Sequence, residues 1–372
     1  MRIILFIKEM NMNYNQTDLI KTPTLVLNER TARKNLLVMS QKAESQNIRF
    51  RPHFKTHQSA LIGEWVREIG VSQITVSSVS MATYFARSGW RDILIAFPVN
   101  LRELADILEL AANIDLSLLV ESIESVQYLD RMLNKEVGVW IKIDTGMHRA
   151  GVWWEHDAEI VGVVEAVAKS DFLKLKGLLT HPGQTYHASS VAEILKMYSD
   201  SVKVMNSIRL SLEQQGFENL EVSVGDTPGC WLSDDLGNVD EIRPGNFIFF
   251  DAMMHNLGVC RIEDIAVAVA CPIVAKHAHR NEIVIYGGAV HLSKEYIKRG
   301  GKNIYGYAAI DNGNGWQVLG DGNYVRALSQ EHGIVHVEND LFNKVKIGDI
   351  LYVIPTHVCL TVDALDSNYV II

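Results

Sequence analysis

The sequence predicts an α/β chain: a closed barrel of eight parallel strands alternating with helices, followed by a mostly antiparallel β domain. Three observations lead there. Apolar strand-like runs alternate with segments of helical period through the earlier part of the 372-residue chain. After Asp251 short β-rich runs parted by Gly and Asn-Gly turns replace them. Polar motifs of unusual composition stand just past the carboxyl ends of predicted strands, where such barrels keep their chemistry. The barrel is expected over residues 28–252 and the β domain over 253–372.

Thr22-Pro23 turns the chain into a strand at 24–27, and 48–50 reads as the next. Residues 73–77 form a strand, and 81–87 a helix that stops at Gly89. A strand at 93–97 ends at Pro98, whose ring cannot donate to a ladder. Residues 101–112 carry apolar positions at helical spacing. Strand, helix, strand and helix follow at 116–120, 123–133, 139–144 and 158–168, then a strand at 175–179, a long helix at 191–215 and a strand at 220–224. In the β domain, 265–270, 282–286, 333–337 and 350–354 read as strands, and Asn312-Gly313-Asn314-Gly315 as a turn.

The chain is 48% hydrophobic and 21% charged, the composition of a folded soluble protein. Its 35 basic against 44 acidic residues give a net charge of -9, which argues against a nucleic-acid surface. The apolar start, residues 1–7, is too short to span a bilayer and is interrupted by Lys8 and Glu9, so no membrane association is expected. The expected start of the functional chain is Met10 or Met12. Four cysteines, Cys230, Cys260, Cys271 and Cys359, are too few for a disulfide framework and fit a reducing cytosol, so a cytoplasmic location is expected.

The most informative stretch is Arg51-Pro52-His53-Phe54-Lys55-Thr56-His57. Read by itself it admits a solvated lysine in a histidine-rich loop. It equally admits an amine whose pKa is lowered by cationic or desolvating neighbours, and so a usable nucleophile. Past the strand at 139–144 comes Asp144-Thr145-Gly146-Met147-His148-Arg149-Ala150-Gly151. Arg149 there is either half of a structural Asp–Arg pair or a guanidinium held for a phenolic oxygen or a carboxylate. His181-Pro182-Gly183-Gln184-Thr185-Tyr186 follows the strand at 175–179; its strand-terminal place favours function for a histidine that, taken alone, reads as a loop residue. Ser223-Val224-Gly225-Asp226-Thr227-Pro228-Gly229 is a small-residue turn whose amides and hydroxyls could converge on a phosphate. It is neither a Walker loop nor a dinucleotide fingerprint. Near the end, Pro355-Thr356-His357-Val358-Cys359 would, if extended, set His357 and Cys359 on one face, an imidazole–thiolate pair suited to zinc. Spacing alone favours ordinary packing for that pair.

These motifs resemble those of fold-type III pyridoxal-phosphate enzymes, specifically the D-threonine aldolase and D-serine dehydratase branch, which shares the alanine racemase N-terminal domain. The first is similar to that branch's R-P-H-x-K-T-H, the second to D-T-G-M-x-R-x-G, the third to a loop beside the cofactor ring, and the fourth to the G-S/D-T-P phosphate cup. Arg243-Pro244-Gly245-Asn246 with Asp251 is similar to a further segment, with Phe247 where tyrosine is frequent. The resemblance implies a pyridoxal-phosphate-binding barrel with the strand at 20–27 joining the β domain. It implies Lys55 as the catalytic, cofactor-bearing residue in an internal Schiff base. Arg149, His181, Tyr186, Ser223, Gly225 and Thr227 are implied as cofactor-binding, and His357 and Cys359 as ligands of a divalent metal, best zinc. It implies a lyase on a small-molecule substrate, a β-hydroxy D-amino acid, dehydrating D-serine or D-threonine to a 2-oxo acid and ammonia, in a homodimer. It leaves D-threonine aldolase chemistry, giving glycine and an aldehyde, or a racemase as alternatives. From the residues alone, a cofactor-free metallohydrolase on His53, His57 and His181 also stays open. A non-catalytic cofactor carrier is disfavoured by the β domain.

Overall fold

The computed structural model describes residues 19–372, so the apolar start and the expected initiator lie outside the described residues. The chain divides into two units: Glu29–Ala266, and the chain up to Asn28 together with Val267–Ile372.

In chain order, β1 (Thr24–Leu27) precedes the first unit. That unit then runs α1 (Glu29–Ser45), β2 (Arg49–Phe50), α2 (Ala60–Glu68), β3 (Gln73–Val76), α3 (Val79–Arg87), β4 (Asp92–Pro98), α4 (Leu104–Asn113), β5 (Asp115–Val120), α5 (Ile123–Met132) and β6 (Val137–Asp144). It continues with β7 (Val152–Trp153), α6 (Asp157–Ala168), β8 (Leu173–Thr180), α7 (Val191–Gln214), β9 (Glu221–Val224), α8 (Thr227–Leu232), β10 (Glu241–Ile242) and α9 (Ala252–Asn256). The strands pair in parallel in the order β2-β10-β9-β8-β6-β5-β4-β3, with β7 attached to β6. A parallel bridge between His53 and Thr75 closes the ring from β2 to β3, backed by Phe54 N–H to Thr75 O at 2.8 Å and Thr75 N–H to Pro52 O at 3.0 Å. The expected (β/α)8 barrel is therefore present. The alternation arises because parallel strands are covered by helices outside and by each other's side chains inside. β6, apolar but for Lys142 and Asp144, is buried at every position. Leu94, Leu119, Trp140 and Leu179 meet in the barrel core. Ser59, Ser78, Ser122 and Ser190 start α2, α3, α5 and α7, each accepting from the amide three residues on, which satisfies a helix-end donor.

The second unit adds β11 (Val267–His277), β12 (Glu282–Tyr286), α10 (Ala289–Leu292), β13 (Ile297–Arg299), β14 (Lys302–Ile304), β15 (Gly306–Asp311), β16 (Trp316–Val318), β17 (Tyr324–Leu328), β18 (His332–His336), α11 (Asn339–Lys344), β19 (Ile350–Pro355), α12 (Val358–Ala364) and β20 (Tyr369–Ile371). Its main sheet runs β12-β18-β17-β15-β19-β11-β1-β20, and β11 also pairs β12, so the first six strands close on themselves. Among the described residues these strands pair antiparallel, except β1 with β20. β1 lies antiparallel to β11, from Thr24 opposite Ala270 to Leu27 opposite Val267.

One local expectation fails. His357 keeps an extended backbone, but it is the N-cap of α12, and Cys359 lies in that helix's first turn. The alternation argued for an extended His357-Val358-Cys359 does not apply. Pro355 ends β19, and the chain turns into a helix two residues earlier than extended pairing would need.

Candidate active site

The barrel's closing loop carries Lys55. His53 N–H donates to Pro244 O at 2.9 Å, and Lys55 N–H reaches His53 Nδ1 at 3.3 Å. That bond needs an unprotonated Nδ1, so His53 carries its proton on Nε2. Burial, then the Lys55, Arg243, His181 and Arg149 charges, hold the His53 imidazole well below its ordinary range. His181, just past β8, behaves alike: burial, then Lys55, lowers it strongly, with Arg149 and Lys142 adding to the effect. Its Nδ1–H donates to Gly225 O, leaving Nε2 as an acceptor. Both imidazoles are thus neutral, and the Lys55 charge is among those that keep them so. The structure brings Lys55, Arg149, His181 and Gly225 to one end of the barrel.

Arg149 is exposed at this mouth. The Asp–Arg alternative for its motif is not what forms. Asp144 Oδ1 instead accepts Gly146 N–H at 2.9 Å and His148 N–H at 3.1 Å, folding the loop onto its own carboxylate. Tyr186 sits in a short 3-10 turn, Gly183–His187, its ring tilted against His181 at 6.1 Å, and its hydroxyl accepts Thr227 N–H at 3.2 Å. Thr227 Oγ1 accepts Phe247 N–H at 3.2 Å, a bond that does not use the hydroxyl proton. Gly225 lies where Arg243 passes close: a Cβ there would stand 2.9 Å from Arg243 Cβ.

Ser223 differs from the expectation of a phosphate donor. Its hydroxyl donates to Glu241 Oε1 at 2.7 Å and accepts Arg243 Nε–H at 2.6 Å. It ties a buried network in which Arg51 pairs with Glu241 at 2.7 Å and with Asp92 at 2.6 Å. Burial alone would raise the Glu241 carboxyl, but Arg51, Arg49 and Ser223 outweigh it and hold it low. Arg243 also donates to Thr180 O at 2.6 Å, and burial lowers its pKa to about 10.

The sequence reading missed this network and two further groups. Lys142 lies two positions from both Trp140 and Asp144 on β6, hence on the same face. Burial, then Arg243 and Arg149, pulls its pKa down to about 7. A lysine of inward parity in an otherwise apolar strand was the available signal. Asp226 caps α8, accepting Gly229 N–H at 2.7 Å and Thr185 Oγ1–H at 2.8 Å. Burial nevertheless pushes its carboxyl up to about 7, and its Oδ1 is buried with no partner among the described residues.

The trio His53, His57 and His181 does not make a metal site. His57 is buried edge-on to Phe54 at 4.4 Å and Phe85 at 6.0 Å, and burial drops its pKa to about 3. Among the described residues no group of three His, Cys, Asp or Glu side chains could hold an ion. In the second unit, His357 Nδ1 meets Glu295 Oε2 at 2.6 Å. An ionised carboxylate only accepts, so Nδ1 carries the shared proton and Nε2 keeps its lone pair. With the Cys359 thiol one turn into α12, the donors present are one imidazole nitrogen and one sulfur. That set fits a borderline divalent ion completed by water or substrate. No helix among the described residues is long and apolar enough to cross a membrane.

The barrel groups fit a phosphorylated aldehyde: an amine for the carbonyl, a guanidinium at the mouth, a neutral imidazole, and a small-residue turn. Comparison with known proteins agrees. Residues 27–253 match the family model for the alanine racemase N-terminal domain, and residues 266–371 that for a putative serine dehydratase domain. The chain is 30% identical to D-serine dehydratase of Dictyostelium discoideum, covering 98% of this chain and 96% of that one. It is 29% identical to D-threo-3-hydroxyaspartate dehydratase of Delftia sp., over 92% of each. The solved structure of that Delftia enzyme superimposes with a TM-score of 0.86 at 28% identity, covering 94% of this chain and 93% of the other. Its cysteine-to-alanine variant has been solved in a metal-free form, and a histidine-to-alanine variant is also known.

Proposed function

The chain belongs to the alanine racemase N-terminal-domain family, with a match to a putative serine dehydratase domain following in sequence, and on that premise we propose that it is a pyridoxal-phosphate- and metal-dependent lyase that dehydrates β-hydroxy D-amino acids, D-serine or D-threonine, to a 2-oxo acid and ammonia. The observation that carries this reading is Lys55 in the loop that closes the barrel, two residues past the His53–Thr75 bridge, with its charge acting on the neutral imidazoles of His53 and His181.

Bound pyridoxal phosphate would supply an electron sink for charge developing at the substrate α-carbon. Lys55 would hold its aldehyde and, once displaced by the substrate amine, serve as base for the α-proton. The lowered basicity of the two imidazoles keeps them from taking a proton that would repel the lysine ammonium. Arg149, exposed at the mouth, is placed to pair with an incoming oxyanion. The turn from Gly225 to Thr227, with Tyr186 against it, would cradle the phosphate, while Ser223 acts through Arg243 rather than on the ligand.

His357 and Cys359 would hold a divalent ion, zinc by their chemistry, supplying Lewis acidity toward a β-hydroxyl leaving group. The Delftia variants support this, since the altered histidine and cysteine stand two positions apart, as His357 and Cys359 do. The reading includes a homodimer in the cytoplasm; the four cysteines, in no disulfide among the described residues, fit a reducing compartment.

Two measurements test it. Borohydride reduction of the holoprotein followed by peptide mass mapping should place the cofactor on Lys55, and Lys55→Ala should lose the visible absorbance. The purified protein should turn D-serine into pyruvate and ammonia, with loss of rate under chelator. Glycine and an aldehyde from D-threonine would replace dehydration by aldol cleavage. No turnover of D-serine, D-threonine or D-threo-3-hydroxyaspartate under any metal condition would reject the assignment.

A further inference from the structure

We propose that Glu295 is the positioning residue of the metal centre: it fixes the His357 ring and tautomer so that Nε2 faces the ion. This rests on the reading of His357 and Cys359 as ligands. The contact is His357 Nδ1–H to Glu295 Oε2 at 2.6 Å, across 62 residues of sequence. It is built by the fold. α10 ends at Leu292, and Ser293 follows at φ 65, reversing the chain. Ser293 Oγ then accepts Glu295 N–H at 3.3 Å, which orients the loop. Thr361, one turn into α12, donates to His357 O at 3.2 Å and reaches Leu292 O at 3.5 Å. A single hydroxyl thus sits between the segment bearing Glu295 and the segment bearing His357.

The chemistry gives this geometry a consequence. An imidazole offers one lone pair when neutral, and the hydrogen bond at one nitrogen decides which nitrogen that is. With Nδ1 committed to Glu295, the ring cannot turn to ligate through Nδ1. Glu295 acts through His357, so its cost on removal must vanish when His357 is gone.

The test is zinc affinity of the cofactor-loaded protein, measured by competition with a chromophoric chelator, for wild type, Glu295→Ala, Glu295→Gln, His357→Ala and the double variant His357→Ala/Glu295→Ala. Glu295→Ala is expected to weaken zinc binding by about 10- to 100-fold. Glu295→Gln keeps an acceptor for Nδ1–H and should recover part of that loss. In the His357→Ala background, removing Glu295 should change affinity by less than about twofold, as expected for an effect relayed through one ring. The cofactor absorbance should stay at its wild-type value throughout. An unchanged affinity in Glu295→Ala overturns the inference. So does a full further loss in the double variant, which would make Glu295 a ligand in its own right. Wild type taking up no zinc that depends on His357 removes the ligand reading itself, an outcome distinct from both.

Discussion

Lys142 shows how one residue can carry both a cost and a purpose. It is enclosed in the barrel, its pKa down at about 7 against 10.5 for a free lysine, with Arg243 and Arg149 adding to the effect of burial. Its ammonium reaches Ile143 O at 3.2 Å, one satisfied donor of three. A group whose folded pKa is depressed binds fewer protons folded than unfolded between the two pKa values. Its stability contribution is therefore complete above pH 10.5 and is lost as pH falls to 7, by about 1.4 kcal/mol per pH unit at most. Replacing it with an apolar side chain of similar length, Lys142→Met, should raise unfolding free energy at pH 7 by roughly 1–4 kcal/mol. That gain should shrink steadily between pH 7 and 10.5, as urea unfolding at matched cofactor occupancy would show. A gain independent of pH would mean that packing, not charge, sets the difference. Lys55 was legible because its whole motif is local. Lys142 was not singled out, since strand parity marks a residue as inward but does not say which charges await it. The Arg51–Glu241 pair was still less accessible, because its partners are 190 residues apart and meet only through the ring order of the strands.

At the scale of elements, the loop after β6 sets where Arg149 stands. Asp144 holds the near side through Gly146 and His148, and Gly151 closes the far side at φ 113. A Cβ on Gly151 would lie 2.7 Å from Asp144 N and 2.8 Å from Ile143 C, both backbone of β6, so neither contact can yield cheaply. Strain and collision act together here. Gly151→Ala should cost about 2–4 kcal/mol in stability. It should also weaken cofactor affinity at least tenfold by displacing Arg149, seen in absorbance titration with pyridoxal phosphate. Loss of stability with unchanged cofactor affinity would mean that the loop does not position Arg149. The strand-helix alternation of the barrel was readable because each element has its own period and four of its helices start at a serine cap. The β domain was read less fully. Among the described residues β13, β14 and β16 are three residues each, too short for period two to emerge. The turn from β19 into α12 hid Cys359 for a related reason, because His357 is extended as a cap and gives no sign of the helix behind it.

Across the whole molecule, the chain begins its described structure in a sheet that it completes only after the entire barrel. β1 lies between β11 and β20, antiparallel to one and parallel to the other, with Leu25, Val26 and Leu27 all buried. The partners of Thr24–Leu27 lie more than two hundred residues on, so joining them closes a loop whose entropic cost is about 5 kcal/mol if the intervening chain is unfolded. A barrel that folds first removes most of that cost by fixing its own ends. The strand is thus a dependent part of the second unit, and the two units should differ in how they feel its loss. Leu27→Ala removes a fully buried side chain and should cost about 2–5 kcal/mol. Hydrogen exchange should show the loss in β11 and β20, while the amides of β6 and β8 keep their wild-type protection, because opening free energies follow cooperative units rather than the chain as a whole. Equal loss of protection in β6 and β8 would show that barrel and β domain unfold as one cooperative unit.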